Sequence, residues 1–354
     1  MSLSLSHYTL SLLDDIERRI DPETEEDFRE QWKRFWYTRL DQPVFTPWRK
    51  KTSAPGIELK NIHINDALKD WELMLDAELS DVSRRLASPT PALGLRANYG
   101  SAIMTSLFGA ELFIMPRETN TLPTTRSFND SDKIRGILQN GIPDFHNGFG
   151  GDVLAFGERC AEIFEHYPKI KKYVEVYHPD TQGPLDVAEL LWGGEMFYEM
   201  YDDPDFVHAV MRLITDTYKG FMDTWYEIIP KRKELTVHWG ILHRGTIFLR
   251  LDSGMNISPE LYRAYSMPYD RELLDYYDGG CVHFCGRADH YMDALCEIDS
   301  LYAVQSSQPH LNDMDKILSA VCTRDKRILM LPNAAQYAEA HAAFPDMKNG
   351  VIHS

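Results

Sequence analysis

The sequence predicts an α/β protein, a (β/α)8 barrel that carries an N-terminal helical extension. The first 90 residues show helical patterns, whereas from residue 92 onward short β-favouring runs alternate with amphipathic helical stretches. Such alternation favours parallel strands joined by right-handed helical crossovers. Eight of these units close into a barrel of about 250 residues, which agrees with the length of this region. We therefore expect a helical extension over residues 1–90 and a barrel over residues 91–354.

The extension contains a well-marked helix start at Asp21-Pro22-Glu23, where a capping carboxylate precedes a proline and an acid in the first turn. Aromatic residues follow at helical spacing and give this helix one apolar face: Phe28, Trp32, Phe35 and Trp36. We expect the face to pack on the main domain, and a homodimer contact is the alternative. Residues 45–56 are expected to form a linker or wrapping loop, and residues 64–87 a second helix.

Nine short runs are candidate strands: residues 92–98, 111–115, 174–178, 235–239, 246–251, 281–285, 302–305, 327–331 and 351–353. Amphipathic helices are predicted between several of them, over residues 187–201, 203–229, 258–277 and 313–323. Because a barrel of this kind has eight strands, one candidate must belong to an insertion or a hairpin. The pair between residues 238 and 250 is the expected place.

Composition and charge argue against several classes of partner. The chain has 354 residues and a net charge of -17, and no basic run is longer than Lys231-Arg232-Lys233. Neither nucleic acid nor an anionic membrane is therefore expected as the main partner. No apolar run approaches the roughly 20 residues that span a bilayer, and residues 1–13 lack a signal-peptide pattern. Five cysteines, an odd number, suit a reducing cytoplasm.

Residues 279–286, Gly-Gly-Cys-Val-His-Phe-Cys-Gly, carry a chemical signal. A β-favouring run between glycines predicts a short buried strand. Side chains alternate along a strand, so His283 and Cys285 point to the same side, about 7 Å apart along the backbone. An imidazole and a thiol that converge in this way are two ligands for zinc, or a base beside a nucleophile. A core strand that happens to contain both residues is the structural alternative.

Active sites of (β/α)8 barrels lie where strands end and loops begin. Polar residues at the predicted strand ends are therefore candidate site residues: Arg96, Asn98, His178, Asp180, Gln182, His238, His243, Asp252, His283, Cys285, Gln305, Asn333 and His353. Each imidazole taken alone is more often a surface or capping histidine than a ligand. His283 and Cys285 stand out because they share one strand face.

Several stretches together resemble the uroporphyrinogen decarboxylase superfamily. They are Thr181-Gln182-Gly183-Pro184-Leu185, Asp202-Asp203-Pro204, Leu251-Asp252-Ser253, Ile257-Ser258-Pro259-Glu260-Leu261-Tyr262, Met267-Pro268-Tyr269 and His283-Phe284-Cys285-Gly286. They occur in the order typical of the superfamily, and the resemblance covers roughly residues 92–354. It implies a (β/α)8 barrel, in agreement with the alternation of strands and helices.

Within the superfamily, the resemblance favours the zinc-dependent methyltransferases, which exchange methyl groups between a corrinoid and a thiol or another acceptor. Their zinc is held by His and Cys of an H-x-C strand and by a Cys of the last strand. His283 and Cys285 match the first two ligands, and His353 stands at about the place of the third. The resemblance thus implies bound zinc, a corrinoid as methyl donor or acceptor, a small-molecule substrate and a corrinoid protein as partner.

On this hypothesis, zinc would lower the pKa of a substrate thiol or hydroxyl, and the resulting anion would attack a methyl group. Asp252 would orient the imidazole of His283 or act as a base. The remaining strand-end residues would bind the substrate: Arg96, Asn98, His178, Asp180, Gln182 and His238.

Two other functions stay open. One is decarboxylation of a tetrapyrrole without a cofactor, with His283 or Arg96 as the proton donor. True uroporphyrinogen decarboxylases bind substrate carboxylates with an Arg-Gln-Ala-Gly-Arg stretch, which is absent here; residues 47–51 lie at a loosely similar position. The other is a non-catalytic barrel that binds a corrinoid or its carrier protein.

Overall fold

The computed structural model describes residues 5–38, 44–330 and 350–352. The strands are β1 (Val44–Phe45), β2 (Gly94–Leu95), β3 (Glu111–Phe113), β4 (Thr124–Arg126), β5 (Glu175–Val176), β6 (Thr236–His238), β7 (Ile241–His243), β8 (Ile247–Arg250), β9 (Gly280–Phe284), β10 (Leu301–Ser306), β11 (Arg327–Met330) and β12 (Gly350–Ile352). The helices are α1 (His7–Arg19), α2 (Pro22–Tyr37), α3 (Ile64–Ala67), α4 (Trp71–Arg85), α5 (Ala102–Leu107), α6 (Ser131–Asn140), α7 (Phe149–Phe164), α8 (Pro168–Tyr173), α9 (Pro184–Trp192), α10 (Glu195–Asp202), α11 (Pro204–Ile228), α12 (Pro259–Leu261), α13 (Met267–Tyr276), α14 (Met292–Cys296) and α15 (Met314–Thr323).

Most of the strands belong to parallel sheets. A six-stranded sheet has the order β1-β12-β11-β10-β9-β8, and all of its neighbouring pairs are parallel. β2 and β5 form a second, two-stranded parallel sheet. Two antiparallel hairpins, β3–β4 and β6–β7, complete the strand pairing in the described part of the chain. The predicted α/β class with parallel sheets is confirmed.

The six-stranded sheet separates two apolar cores because its side chains alternate between faces. One face contributes Leu249, Val282 and Val304 to a large core that it shares with the helices. The opposite face contributes Phe248, Cys281 and Ala303, which lie in one row across β8, β9 and β10. These three residues belong to a second, largely aromatic core.

Helix α2 covers this second core. Its aromatic residues Phe28, Trp32, Phe35 and Trp36 are each at most 5% exposed. Trp36 Nε1 donates a hydrogen bond to the carbonyl oxygen of Leu242 at 2.8 Å. Phe45 of β1 stacks on Phe35 with ring centroids 4.9 Å apart. The face formed by these four residues is therefore packed within the chain, whereas Tyr37 at the end of α2 is 53% exposed, and the homodimer stays a prediction.

The segment predicted as a linker is anchored by a buried ion pair. Arg49 is 1% exposed, and its Nε lies 2.6 Å from Glu25 Oε1 of α2. The same guanidinium donates to the carbonyl oxygens of Ser88 and Pro91 at 2.8 and 2.9 Å. A buried charge of this kind is tolerated only when it is paired and hydrogen-bonded. The loop is therefore fixed to α2 and to the chain that follows α4.

Two of the nine predicted strands form hairpins rather than parallel strands. The run 111–115 becomes β3, which is antiparallel to β4, a strand not predicted from the sequence. The run 235–239 becomes β6, which is antiparallel to β7 across a two-residue turn. The run 246–251, expected to pair with it, is β8 of the parallel sheet. Strand propensity does not specify a pairing partner, which is why the local pattern could not separate these cases.

Helices α2 and α11 begin at the residues that the sequence signals predict. The stretches 64–87 and 187–201, each predicted as one helix, are divided in the structure into α3 and α4, and into α9 and α10. Asp21 accepts a hydrogen bond from the backbone N–H of Thr24 at 3.0 Å, and Asp203 accepts one from Phe206 at 3.2 Å. Each bond satisfies a donor that the first helical turn would otherwise leave unpaired. Among the helices of the described residues, none is long and apolar enough to cross a membrane.

Candidate metal centre

Three potential metal ligands meet where β8 and β9 end. Asp252 follows β8, His283 lies on β9 and Cys285 follows β9. The two strands are parallel neighbours, and the backbone N–H of Leu251 extends their pairing by donating to the carbonyl of His283 at 2.9 Å. His283 Nε2 lies 3.4 Å from Cys285 Sγ and 4.0 Å from Asp252 Oδ1. One ligand atom of each residue lies within 4.8 Å of the other two.

The three donor atoms suit a zinc ion. Tetrahedral zinc with a sulfur at about 2.3 Å and nitrogen and oxygen at about 2.1 Å separates neighbouring donors by roughly 3.4–3.6 Å. The sulfur–nitrogen distance of 3.4 Å falls in this range, and the nitrogen–oxygen distance of 4.0 Å needs only a small side-chain rotation. Three protein ligands also leave a fourth position for a substrate atom, which is the arrangement typical of catalytic zinc.

Gln305 on β10 orients the imidazole of His283. The distance from His283 Nδ1 to Gln305 Oε1 is 3.1 Å, and a carbonyl oxygen can only accept, so Nδ1 donates the hydrogen bond. Nε2 is then unprotonated and faces the other two donors. Burial, followed by the charge of Arg250, lowers the pKa of His283 to about 3. The imidazole therefore stays neutral, the form that binds a metal. The sequence suggested Asp252 for the orienting role, and Gln305 occupies that position.

Asp186, in the first turn of α9, holds the loop that carries Asp252. Its carboxylate accepts the backbone N–H groups of Asp252 at 3.0 Å and of Ser253 at 2.7 Å. Asp252 Oδ1 in turn accepts the backbone N–H of Cys285 at 2.5 Å. Burial, and then the charge of Asp252, raises the pKa of Asp186. These bonds join the ends of β8 and β9 to the start of α9, so they hold in place the backbone that carries Asp252 and Cys285.

Cys285 is half-buried and accepts a hydrogen bond from Ser307 Oγ at 3.1 Å. Burial raises the pKa of its thiol, and the nearby carboxylate of Asp252 acts in the same direction. A metal binds the thiolate, so metal binding at this residue would release a proton.

A buried ionic network lies beside the three donors. Arg250 is in register with His283 and is 2% exposed. Its Nε lies 3.3 Å from Asp180 Oδ1, and Arg96 approaches the other oxygen of Asp180 at 3.4 Å. Burial alone would raise the pKa of Asp180, but the charges of Arg250 and Arg96 hold it below its usual value. The carboxylate thus stays ionised between two arginines.

Trp239 covers this network from the β6–β7 turn. Trp239 and Gly240 have φ angles of 48° and 79°, the two positive values that a type I′ turn requires. A tryptophan in this conformation is strained, and such strain occurs at ligand-binding sites more often than elsewhere. Its ring lies 3.8 Å from the guanidinium of Arg250 and 4.8 Å, edge-on, from the ring of His283. The hairpin thus supplies an aromatic wall beside the three donors.

Four of the predicted substrate-binding residues belong to this region. Arg96 and Asp180 form the ion pair described above, and Gln182 Nε2 donates to Asp180 Oδ1 at 2.7 Å. His238 Nε2 lies 2.7 Å from a terminal nitrogen of Arg250. The structure therefore brings these four strand-end residues together, next to the candidate metal ligands.

The other two predicted substrate-binding residues have structural hydrogen bonds. His178 Nε2 accepts the backbone N–H of Phe248 at 2.9 Å, and its Nδ1 lies 2.8 Å from the carbonyl oxygen of Pro179. Asn98 donates to Glu78 Oε1 at 3.0 Å. Both nitrogens of His178 are thus occupied by backbone groups, and burial lowers its pKa to about 3.

Residues outside the predicted set complete the site, and one predicted ligand cannot be placed. His353, like Asn333, lies outside the described residues. Sequence reasoning missed Arg250, Trp239 and Asp186. The sequence contains a signal for Arg250, because it ends the buried strand Ile247–Arg250 and an arginine in a buried strand needs a buried partner. The other two residues have no comparable local signal.

Comparison with solved structures shows what this fold is similar to. The chain is similar to a methyltransferase from Methanosarcina mazei, with a TM-score of 0.61 over 92% of each chain and 13% sequence identity. The two proteins share a fold. At this identity the likeness concerns the fold and not the reaction. The sequence matches no family model and no curated protein.

Proposed function

We propose that this protein is a zinc-dependent methyltransferase of the uroporphyrinogen decarboxylase superfamily, which moves a methyl group between a corrinoid and a thiol or another small acceptor. The observation that carries the proposal is that one ligand atom each of Asp252, His283 and Cys285 lies within 4.8 Å of the other two. The fold shared with a solved methyltransferase supports it.

The parallel sheets support the architectural part of the proposal. We infer that the six-stranded sheet and the β2–β5 pair are parts of one closed (β/α)8 barrel with α2 across one end. The alternate burial of both faces of β8, β9 and β10 is typical of barrel strands, which have one face toward the interior and one toward the helices. The three donors would then lie at the C-terminal mouth of the barrel, where such enzymes have their active sites.

In this mechanism, Asp252, His283 and Cys285 would hold the zinc ion, and His353 remains a predicted further ligand. Bound zinc supplies Lewis acidity, which lowers the pKa of a substrate thiol or hydroxyl. Gln305 keeps Nε2 of His283 unprotonated and directed at the site. The carboxylate of Asp252 is 41% exposed and so can also take up a proton from an incoming substrate.

Arg250, Asp180 and Trp239 would form the wall against which the substrate lies. Asp180 is paired with both Arg250 and Arg96, and the ring of Trp239 lies over the guanidinium of Arg250. A methyl acceptor of low polarity would fit beside the exposed edge of this ring. Arg96, Gln182 and His238 would position the wall, since each is bonded within the same network.

The first experiment measures metal in protein purified without a histidine tag. The proposal predicts about one zinc ion per chain. It also predicts loss of zinc in Cys285→Ser and retention in Cys322→Ser, a matched change at another half-buried free cysteine.

The second experiment follows demethylation of methylcobalamin by a panel of small thiols and phenols. Absence of zinc together with unchanged properties of Cys285→Ser would refute the proposal.

The two alternative functions make different predictions in the same assays. A decarboxylase would turn over a porphyrinogen after chelator treatment. The position of Arg49 argues against a decarboxylase, because this residue is buried in an ion pair with Glu25 and cannot reach a substrate carboxylate. His283 is a poor proton donor with its lowered pKa. A non-catalytic barrel would bind methylcobalamin without turnover and would tolerate substitution of both His283 and Cys285.

The remaining parts of the proposal concern location and partners. All five cysteines are free, which suits the reducing cytoplasm that the sequence predicts. A corrinoid protein is the proposed macromolecular partner, as the superfamily resemblance implies. Co-elution with a purified corrinoid protein, measured with and without a thiol acceptor, tests this part.

A further inference from the structure

A cavity lies near the N-terminal end of β8, whereas the candidate metal centre lies at the C-terminal end of this strand. Its volume is about 500 Å³, within the range usual for small-molecule sites. It reaches Thr246, which precedes β8, whereas Asp252 follows β8. Six residues of extended chain place these positions about 20 Å apart. Asp252, His283 and Cys285 do not line the cavity, although His178, which follows β5, does, so the cavity is separate from the candidate metal ligands.

The floor of the cavity is apolar, and two of its buried polar atoms have no hydrogen-bond partner. The apolar lining comes from α7, β5 and the end of α11, including Phe164, Val176, Trp225 and Ile228. Glu175 is 4% exposed and Trp225 is fully buried, yet neither Glu175 Oε2 nor Trp225 Nε1 has a hydrogen-bond partner among the described residues. Such groups cost free energy unless something bonds to them. A ligand that carries a hydrogen-bond donor could satisfy Glu175.

The rim of the cavity is cationic. Lys231 and Arg232 line it, and they belong to a run of three basic residues in a chain whose net charge is -17. Lys171 also lines it, but both oxygens of Glu165 lie 2.6 Å from its Nζ. Lys231 Nζ lies 5.1 Å from the ring centroid of Tyr226 and has no carboxylate partner among the described residues. An anionic group at the rim would meet this uncompensated charge.

Arg232 links the rim to the buried acid. Its Nε lies 3.8 Å from Glu175 Oε2, too far for a hydrogen bond, and another nitrogen donates to the carbonyl of Lys171 at 3.3 Å. Burial raises the pKa of Glu175 to about 7, although the charges of Arg232 and Arg29 act in the opposite direction, and the charge of Lys231 is left for a ligand. From the interior to the surface, the cavity thus has an apolar floor, then the buried carboxylate of Glu175, and then a cationic rim.

We propose that this cavity is a second ligand site, which binds an aromatic organic anion that also carries an N–H or O–H donor. The ring would lie against Trp225 and Phe164, the donor would bond to Glu175, and the anionic group would meet Lys231 and Arg232. A ligand of roughly 10–20 non-hydrogen atoms fits a cavity of this size. None of the three candidate metal ligands lines this cavity, so it suits an effector rather than a substrate.

Isothermal titration calorimetry with three related probes tests the proposal. Indole-3-acetate has ring, N–H and carboxylate; phenylacetate lacks the N–H; 3-methylindole lacks the carboxylate. We expect indole-3-acetate to bind with a Kd below about 1 mM, and each of the other two to bind about tenfold more weakly, because each loses one hydrogen-bonded or charged contact.

Three variants locate the binding. Lys231→Met is expected to weaken indole-3-acetate binding about tenfold. Lys233→Met, which removes a neighbouring cation that does not line this cavity, is expected to bind like the wild type. Cys285→Ser should also bind like the wild type, which would separate this site from the metal centre. Absence of binding, equal affinity for all three probes, or equal losses in Lys231→Met and Lys233→Met would overturn the proposal.

Discussion

Replacing Gln305 by alanine should weaken zinc binding without touching any of the three donor atoms. Gln305 Oε1 accepts from His283 Nδ1 at 3.1 Å, and Gln305 is 1% exposed, so no water replaces it easily. The variant loses one hydrogen bond, worth about 1 kcal/mol, and frees the imidazole to rotate and to change tautomer. Losses of orienting partners typically reduce metal affinity 10- to 100-fold, or about 1.4–2.7 kcal/mol.

Competition with a chromophoric zinc chelator at pH 7.5 measures the effect. Ser306→Ala is the matched control, because Ser306 is the next residue of β10, is 3% exposed and has no hydrogen-bond partner for its hydroxyl. The control should bind zinc like the wild type. Gln305→Glu should bind zinc at least as tightly, because a carboxylate is a stronger acceptor for Nδ1–H.

Two results would refute this reasoning. If Gln305→Ala binds zinc as tightly as the wild type, the orientation of His283 does not depend on β10. If Ser306→Ala loses as much affinity as Gln305→Ala, the effect comes from disturbance of the strand and not from the lost hydrogen bond. Far-UV circular dichroism of all three variants verifies that each is folded before the titrations are compared.

Three further predictions concern groups that support the site or the core. Asp186→Ala should lower zinc affinity and reduce the free energy of unfolding by about 2–3 kcal/mol, because two backbone N–H groups lose their acceptor. Chelator competition measures the affinity and urea unfolding measures the stability; unchanged values would contradict the supporting role of Asp186. Asp270 is 1% exposed, and burial raises its pKa to about 7, so its contribution to stability is complete below about pH 4 and is lost as pH rises through 7. Asp270→Asn should therefore gain stability relative to the wild type, by about 2–3 kcal/mol, between pH 5 and pH 8 in urea titrations, and a constant difference would contradict the assignment. Trp32→Ala should cost about 3–5 kcal/mol in urea unfolding because Trp32 is fully buried in the second core, whereas Trp48→Ala, at a side chain 55% exposed, should cost far less.

Local patterns in the sequence determined the α/β class, the helix starts and the pairing of His283 with Cys285. These features depend on neighbours within a few residues: apolar spacing, a capping carboxylate, and the two-residue period that places both side chains on one side of β9. The sequence also identified Asp252, Arg96 and Asp180 as candidate site residues, because they lie at the ends of predicted strands, where (β/α)8 barrels have their active sites.

Tertiary structure alone decided the partners of these residues. Gln305 orients His283 because β10 lies beside β9 in register, and Asp186 reaches Asp252 across 66 positions of sequence. The turn at Trp239 places its ring over Arg250 only because β6 pairs with β7 and not with a strand of the parallel sheet. Strand order, register and the folding of a hairpin depend on contacts between distant segments, and one segment's sequence does not contain them.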